Sequence, residues 1–189
     1  FTVSHASTRG FYHVFSRPSD WSDHVHQTGY WFVNETGDYT PDPVLARFLH
    51  AGEKPVYVGF GSMSSMMKHG QVGDLVVEAL RKTRKRGVIS GFGQQGSIDE
   101  RIYGAGSVPH TWLFGHVSAV VHHGGAGTTA AGLRAGVPNI VVPFSNDQFA
   151  WAHRVHHLGV GPEPVVRKRL TADRLAQAIE AADDDHTRT

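Results

Sequence analysis

Cysteine is absent from this 189-residue chain, which removes disulfide frameworks and thiolate chemistry from consideration and suits a reducing, cytoplasmic setting. Long apolar runs are missing too. The apolar stretches fall far short of the roughly 20 residues that cross a bilayer, and nothing like a signal segment opens the chain, so no transmembrane segment is expected. Charge of one sign is also lacking, since 18 Lys+Arg against 17 Asp+Glu leave a formal net charge of +1. The basic residues are scattered apart from the run at Arg81–Arg86, which reads as the solvated end of a helix. Without a continuous basic surface, nucleic acid is not an expected partner.

Histidine and glycine are plentiful, at 14 and 22 residues. The pairs His122-His123 and His156-His157 are sequence neighbours, whose side chains diverge on a strand or helix. No HExxH or cysteine-assisted cluster accompanies them, so no metal site is expected. The length allows one complete core and is too short for two ordinary ones.

From Pro55 onward, short apolar runs alternate with amphipathic stretches, the pattern of a parallel sheet covered by helices. The expected strands are PVYVGF (55–60), GVISGF (87–92), SAVVHH (118–123) and NIVVPF (139–144), with weaker candidates near Ile102 and Val160. Helices are expected at about 69–86, 126–135, 147–158 and 171–182, the last opened by Thr171 as N-cap with Asp173 in its first turn. The alternation predicts an α/β, Rossmann-like doubly wound parallel sheet. Residues 1–54 break the pattern: they are irregular, rich in aromatics and interrupted by Pro18, Pro41 and Pro43, and they read as a linker. FYHVFS (11–16) and TGYWFV (28–33) are strand candidates within it, and both ends of the chain are expected to be cut.

The densest chemistry lies at residues 119–148. A buried strand ends at His122, the turn Gly124-Gly125-Ala126-Gly127 follows, and Thr128 lies in the first turn of a helix. Small residues admit a ligand close to the backbone, and the free N–H groups and dipole at a helix start favour an anion such as a phosphate. The next strand ends at Pro143-Phe144, so Ser145-Asn146-Asp147-Gln148 opens at the same rim. There Asp147 reads equally well as the N-cap of the following helix or, with Gln148, as a clasp for vicinal sugar hydroxyls. The loop Gly59-Phe60-Gly61-Ser62-Met63-Ser64 is a poor dinucleotide fingerprint, because Ser64 replaces the third glycine and no acidic residue ends the second strand. It remains suited to carrying Ser62 toward a phosphate or a base.

HHGGAGTTAAGLRAGVP followed by VPFSNDQ resembles the donor-binding signature of the UDP-glycosyltransferase superfamily, nearest to bacterial members similar to sterol glucosyltransferases and glycopeptide-antibiotic glycosyltransferases. RPSDW (17–21), TGYWF (28–32), VYVGFGSM (56–63) and VPHTWLF (108–114) carry the same resemblance. It implies one half of a GT-B fold: residues 1–54 as interdomain linker and remnant of an N-terminal domain, and 55–189 as the donor-binding domain. It further implies that His122, the Gly124, Gly125, Ala126, Gly127 and Thr128 backbone and Ser62 meet the diphosphate, that Val108 lies in the stretch holding the base, and that Asp147 and Gln148 grip the sugar. The expected partners are a UDP- or TDP-hexose, an N-terminal acceptor-binding domain and a small lipophilic acceptor such as a sterol, macrolide, flavonoid or peptide antibiotic. Neither cofactor nor metal is implied, and no catalytic base is expected in this chain. Two positions depart from plant members: Ala130 stands where they carry a ribose-binding glutamate, and Ser107 where they carry a stacking tryptophan. Trp112 reads as core. A split two-chain transferase, a non-catalytic nucleotide-sugar module and a nucleotide-sugar epimerase are the alternatives.

Overall fold

The computed structural model describes residues 3–5, 14–33, 39–66 and 69–183. They fall into two compact units, Phe1–Tyr39 and Thr40–Thr189. In the first, β1 (Val3–His5) pairs antiparallel with β2 (Trp31–Val33), Val3 opposite Val33 and His5 opposite Trp31. β2 realises the end of the TGYWFV candidate; of FYHVFS, residues 11–13 lie outside the described residues and 14–16 form no strand. Arg17 donates to the carbonyls of Trp21 and Ser22 at 2.8 and 2.7 Å, closing the RPSDW segment on itself.

The second unit opens with α1 (Pro43–His50), a helix the sequence reading left in the linker. Its signals are local. The Asp42 side chain accepts the Val44 N–H, Pro43 occupies the first turn, and Leu45 and Leu49, four residues apart, are buried. There follow β3 (Val56–Gly59), a 3₁₀ helix Gly61–Met66, α2 (His69–Thr83), β4 (Gly87–Ser90), β5 (Gly96–Ser97) and β6 (Ile102–Ala105). After these come α3 (His110–Leu113), β7 (Ala119–His122), α4 (Ala126–Ala135), β8 (Asn139–Val141), α5 (Gln148–His157) and α6 (Ala172–Ala181).

The sheet order is β5-β6-β4-β3-β7-β8, parallel throughout except for β5. From β3 the chain winds outward through β4 to β6, then returns to the other side of β3 for β7 and β8, so the winding reverses between β3 and β7. This is the expected doubly wound sheet. Successive residues face opposite layers: Val56, Val58, Ile89, Ile102 and Val121 join the cluster with Leu80, Leu175 and Ile179, while Tyr57, Val88, Tyr103 and Val120 join Leu45, Leu49, Leu113 and Phe114. Helices α2 and α6 therefore cover one face and α1 and α3 the other.

No strand forms at Val160, contrary to expectation. Pro162 and Pro164 lack N–H groups and deny the segment a continuous ladder. It gives β8 two separate bonds, Asn139 N–H to the Val160 carbonyl at 2.9 Å and Val165 N–H to the Val141 carbonyl at 3.1 Å. α2 stops at Thr83, earlier than expected, because Arg84 turns left-handed with φ +56°.

Candidate functional site

Because five of the six strands are parallel, their carboxyl ends share one edge, and the loops after β3, β4, β6, β7 and β8 gather there. In open α/β sheets the ligand crevice lies at this edge where the winding reverses. Here that is the gap between β3 and β7, flanked by the Gly61 loop and the turn after His122.

The turn is fixed by its own histidine. His122 is fully buried, its Nδ1 accepts the Gly124 N–H at 3.1 Å, and its Nε2 faces Asn139 Oδ1 at 3.0 Å. Since Nδ1 accepts, the proton sits on Nε2 and is donated to Asn139. Burial holds the imidazole neutral by pushing its pKa down to about 3, against a smaller opposing effect from the Asn139 bond. Asn139, itself fully buried, is anchored by donating to the Val137 carbonyl at 3.0 Å. His122 thus has both ring nitrogens hydrogen-bonded inside the protein. It serves the turn.

Gly124 has φ +88°, and a Cβ there would stand 2.8 Å from Val141 Cγ1 and 3.0 Å from the Gln148 carbonyl oxygen. Only glycine fits. α4 then starts at Ala126 with Gly125 as N-cap and no side-chain cap bond. The first N–H groups of such a helix have no intrahelical acceptor, and Ala126 and Gly127 are exposed while Thr128 is half-buried. An anion is the natural complement of this end.

The remaining expected residues converge on the same edge. Ser62 is exposed in the first turn of the 3₁₀ helix, next to Gly61. Gly61 faces His123, whose Cε1 lies 3.4 Å from where a Gly61 Cβ would be, and His123 Nε2 would be 2.6 Å from a Cβ on Gly125. Gly61 also lines a recess of about 140 Å³ with Val108, Ser107, Tyr57, Ser90 and His110. In that recess the Tyr57 hydroxyl and His110 Nε2 lie 3.3 Å apart, and the His110 ring stacks on Phe114 with centroids 4.6 Å apart. Desolvation, and secondarily His123, lowers the His110 pKa; burial pushes the Tyr57 hydroxyl up to about 12.

On the far side, Asp147 precedes α5 without capping it through its side chain. Its Oδ2 instead accepts the Trp151 indole N–H at 3.2 Å, and the carboxylate is exposed at the rim. Gln148 is folded inward: Oε1 accepts the N–H groups of Phe144 and Ser145 at 2.8 and 3.2 Å, which leaves its amide hydrogens as donors. Ala130 is buried and cannot offer a ribose contact, and Trp112 is half-buried against the second core cluster. The sequence reading missed Asn139, Tyr57, His110 and Trp151. Of these, Asn139 had a visible signal, an amide opening the apolar run NIVVPF. A cavity of about 730 Å³ beside Lys54, Lys85 and Pro138 adjoins residues at the opposite ends of the strands and has no part in this rim. Among the described residues no group of three His, Cys, Asp or Glu side chains is placed to hold a metal ion, and no helix is long and apolar enough to cross a membrane.

Residues 89–189 match the family described as erythromycin biosynthesis protein CIII-like, C-terminal domain. The chain is 40% identical over 181 residues to the sterol 3-beta-glucosyltransferase UGT80A2 of Arabidopsis thaliana, covering 94% of this chain and 28% of that protein. It is 37% identical over 172 residues to the O-mycaminosyltylonolide 6-deoxyallosyltransferase of Streptomyces fradiae, covering 91% of this chain and 40% of that one. Among solved structures, the spinosyn rhamnosyltransferase SpnG complexed with thymidine diphosphate superposes with a TM-score of 0.61 at 19% identity, over 72% of this chain and 39% of that chain, a likeness of fold. This chain thus spans well under half the length of these relatives.

Proposed function

The chain belongs to the erythromycin biosynthesis protein CIII-like C-terminal domain family of the UDP-glycosyltransferase superfamily, and on that premise we propose that it is the nucleotide-sugar-binding half of a glycosyltransferase. The reaction is transfer of a hexose, glucose by analogy with the sterol glucosyltransferases, from a nucleoside diphosphate to a small lipophilic acceptor. The observation that carries the reading is the meeting of an uncapped helix start, a glycine-only turn and an exposed carboxylate at the reversal of the sheet.

In this reading the diphosphate rests on the N–H groups of the turn from Gly125 to Thr128 with Ser62 opposite. The base enters the Val108 recess, and Asp147 with the Gln148 amide hydrogens takes the sugar hydroxyls. Transfer is a displacement with inversion. The anomeric carbon loses its bond to the diphosphate oxygen as the acceptor oxygen bonds from the other face, and the acceptor proton passes to a base on an N-terminal domain. Negative charge growing on the departing oxygen is met by the backbone N–H groups of the turn, donors of a kind commonly worth about 3 kcal/mol each. No metal ion takes part. The sterol 3-beta-glucosyltransferases support glucose as the sugar, and the thymidine diphosphate in the SpnG complex agrees with a nucleoside diphosphate as ligand.

Calorimetric titration of this chain with UDP, UDP-glucose, TDP-glucose and NAD, with and without magnesium, tests the proposal. Saturable, magnesium-independent binding of a uridine or thymidine diphosphate and no binding of NAD is expected, with no transfer to a sterol or macrolide by this chain alone. Binding of none of them, or glycoside formed without an acceptor domain, overturns it.

A further inference from the structure

At the edge of the sheet opposite the donor crevice, two histidines meet. α1 ends at His50 and leads into β3, while the 3₁₀ turn Phe114–His116 leads into β7. Because β3 and β7 are neighbours in the sheet, the residues that enter them are brought side by side. Two contacts hold these approaches together: the Ser118 N–H donates to the Pro55 carbonyl at 2.9 Å, and Lys54 Nζ donates to the Gly115 carbonyl at 3.0 Å. There the His50 and His116 rings stand edge to face, with centroids 5.7 Å apart. His116 is held by Trp112, whose ring centroid lies 4.6 Å from its own and whose carbonyl is 2.9 Å from Nδ1. A carbonyl only accepts, so Nδ1 carries the proton of the neutral ring and Nε2 keeps its lone pair. The His50 side chain is exposed and makes no hydrogen bond or ion pair among the described residues.

We propose that His50 and His116 form a two-histidine site for a divalent transition-metal ion of the zinc class, fastening the end of α1 to the turn before β7. Imidazole nitrogen is a ligand for zinc, nickel and copper, whereas magnesium and calcium take oxygen. With Zn–N bonds of about 2.0–2.1 Å in a tetrahedral arrangement, two rings sharing one ion have centroids about 5 Å apart. A small rotation of the exposed His50 ring closes the difference from the observed spacing. A ligating histidine binds through one nitrogen and commonly donates from the other to a carbonyl or carboxylate. His116 already has that arrangement through Trp112. His50 is the last residue of α1, where the helix dipole favours a cation. Lys54 and Arg86 bring opposing positive charge, and both donate to main-chain carbonyls, those of Gly115 and Glu53, at 3.0 and 2.8 Å. No third His, Cys, Asp or Glu ligand joins the pair among the described residues, so water completes the coordination. The histidines are distant in the chain, and motifs read from spacing do not include them. The ion stands apart from the transfer chemistry, and its effect is to tie down the helix that opens the second unit.

The test titrates zinc chloride calorimetrically into this chain, into His50→Gln, into His116→Gln and into the double variant, in a non-coordinating buffer between pH 7 and 8. Loss of an outer-shell partner typically costs a metal site about 10- to 100-fold, and loss of a ligand costs at least as much. Either single variant should therefore bind zinc at least about 10-fold more weakly, and the two losses should not add in the double variant, since both residues serve one ion. His153→Gln, which changes an exposed histidine on α5, should bind zinc as the wild type does. Full affinity in either single variant, a loss shared by His153→Gln, or losses that add overturns the proposal. Imidazole ¹⁵N spectra of the wild type give the same decision without a substitution. Zinc should shift the His50 and His116 ring signals together, and a shift of only one, or of neither, overturns the proposal.

Discussion

Gly124→Ala is the sharpest single test of how the turn is built. With φ +88°, the new side chain enters a left-handed conformation, at a cost of about 1–2 kcal/mol. Its methyl would also stand 2.8 Å from Val141 Cγ1 and 3.0 Å from the Gln148 carbonyl oxygen. Neither yields easily, since Val141 lies in β8 and the Gln148 oxygen is backbone, so overpacking adds about 1–3 kcal/mol. A total near 3 kcal/mol lowers the melting temperature by roughly 6–12 °C for a domain of this size. Thermal unfolding followed by circular dichroism measures this, with Gly127→Ala as control. Gly127 lies in α4 with nothing within 4 Å of a Cβ, and alanine there stabilises by about 0.5–1 kcal/mol through helix propensity. A Gly124→Ala protein melting within about 2 °C of wild type, or a fall shared equally by Gly127→Ala, would refute the reasoning.

Other consequences follow from the same bracket of side chains. The His122 pKa lies near 3 in the folded protein, below its ordinary value of 6.5, so the unfolded chain binds the extra proton between those values. The stability due to the neutral ring is complete above pH 6.5 and is lost as pH falls toward 3, at up to about 1.4 kcal/mol per unit. Urea unfolding at pH 7 and pH 5 should show a smaller pH dependence in His122→Gln than in wild type, and equal dependence would remove His122 as the cause. Asn139→Ala leaves the His122 Nε2–H and the Val137 carbonyl without their partner, a loss of about 1–3 kcal/mol in the same unfolding measurement; an unchanged midpoint contradicts the tautomer assigned to His122. Trp151→Phe removes the indole bond to Asp147 and should weaken UDP-glucose binding severalfold while UDP binding stays as it was. Equal loss for both ligands would mean that Asp147 does not act on the sugar.

The periodicity of the chain carried most of the fold. Four apolar runs became β3, β4, β7 and β8, the Ile102 candidate became β6, and the helices followed with ends shifted by a few residues. Two of the departures have local causes: Pro41 and Pro43 masked a helix whose cap and Leu45-Leu49 spacing were present, and Pro162 and Pro164 broke a run that looked like a strand at Val160. Composition and pattern respond to local geometry, and all of these features are local.

Sequence by itself determined that a glycine turn, a serine loop and an Asp-Gln pair open at one edge of a parallel sheet, because each follows the carboxyl end of a strand. It could not decide which atoms remain available at that edge, since that depends on which neighbours the folded chain turns toward each side chain. Asn139, 17 residues beyond His122 in the chain, occupies its Nε2. Trp151 turns Asp147 from a helix cap into an exposed carboxylate, and Phe144 with Ser145 consumes the Gln148 oxygen. His122 and His123 are identical in type and adjacent in order, yet one is enclosed and the other faces the crevice. Their difference arises from strand alternation and from what β3 and β8 bring against either side of β7, which only the folded sheet supplies.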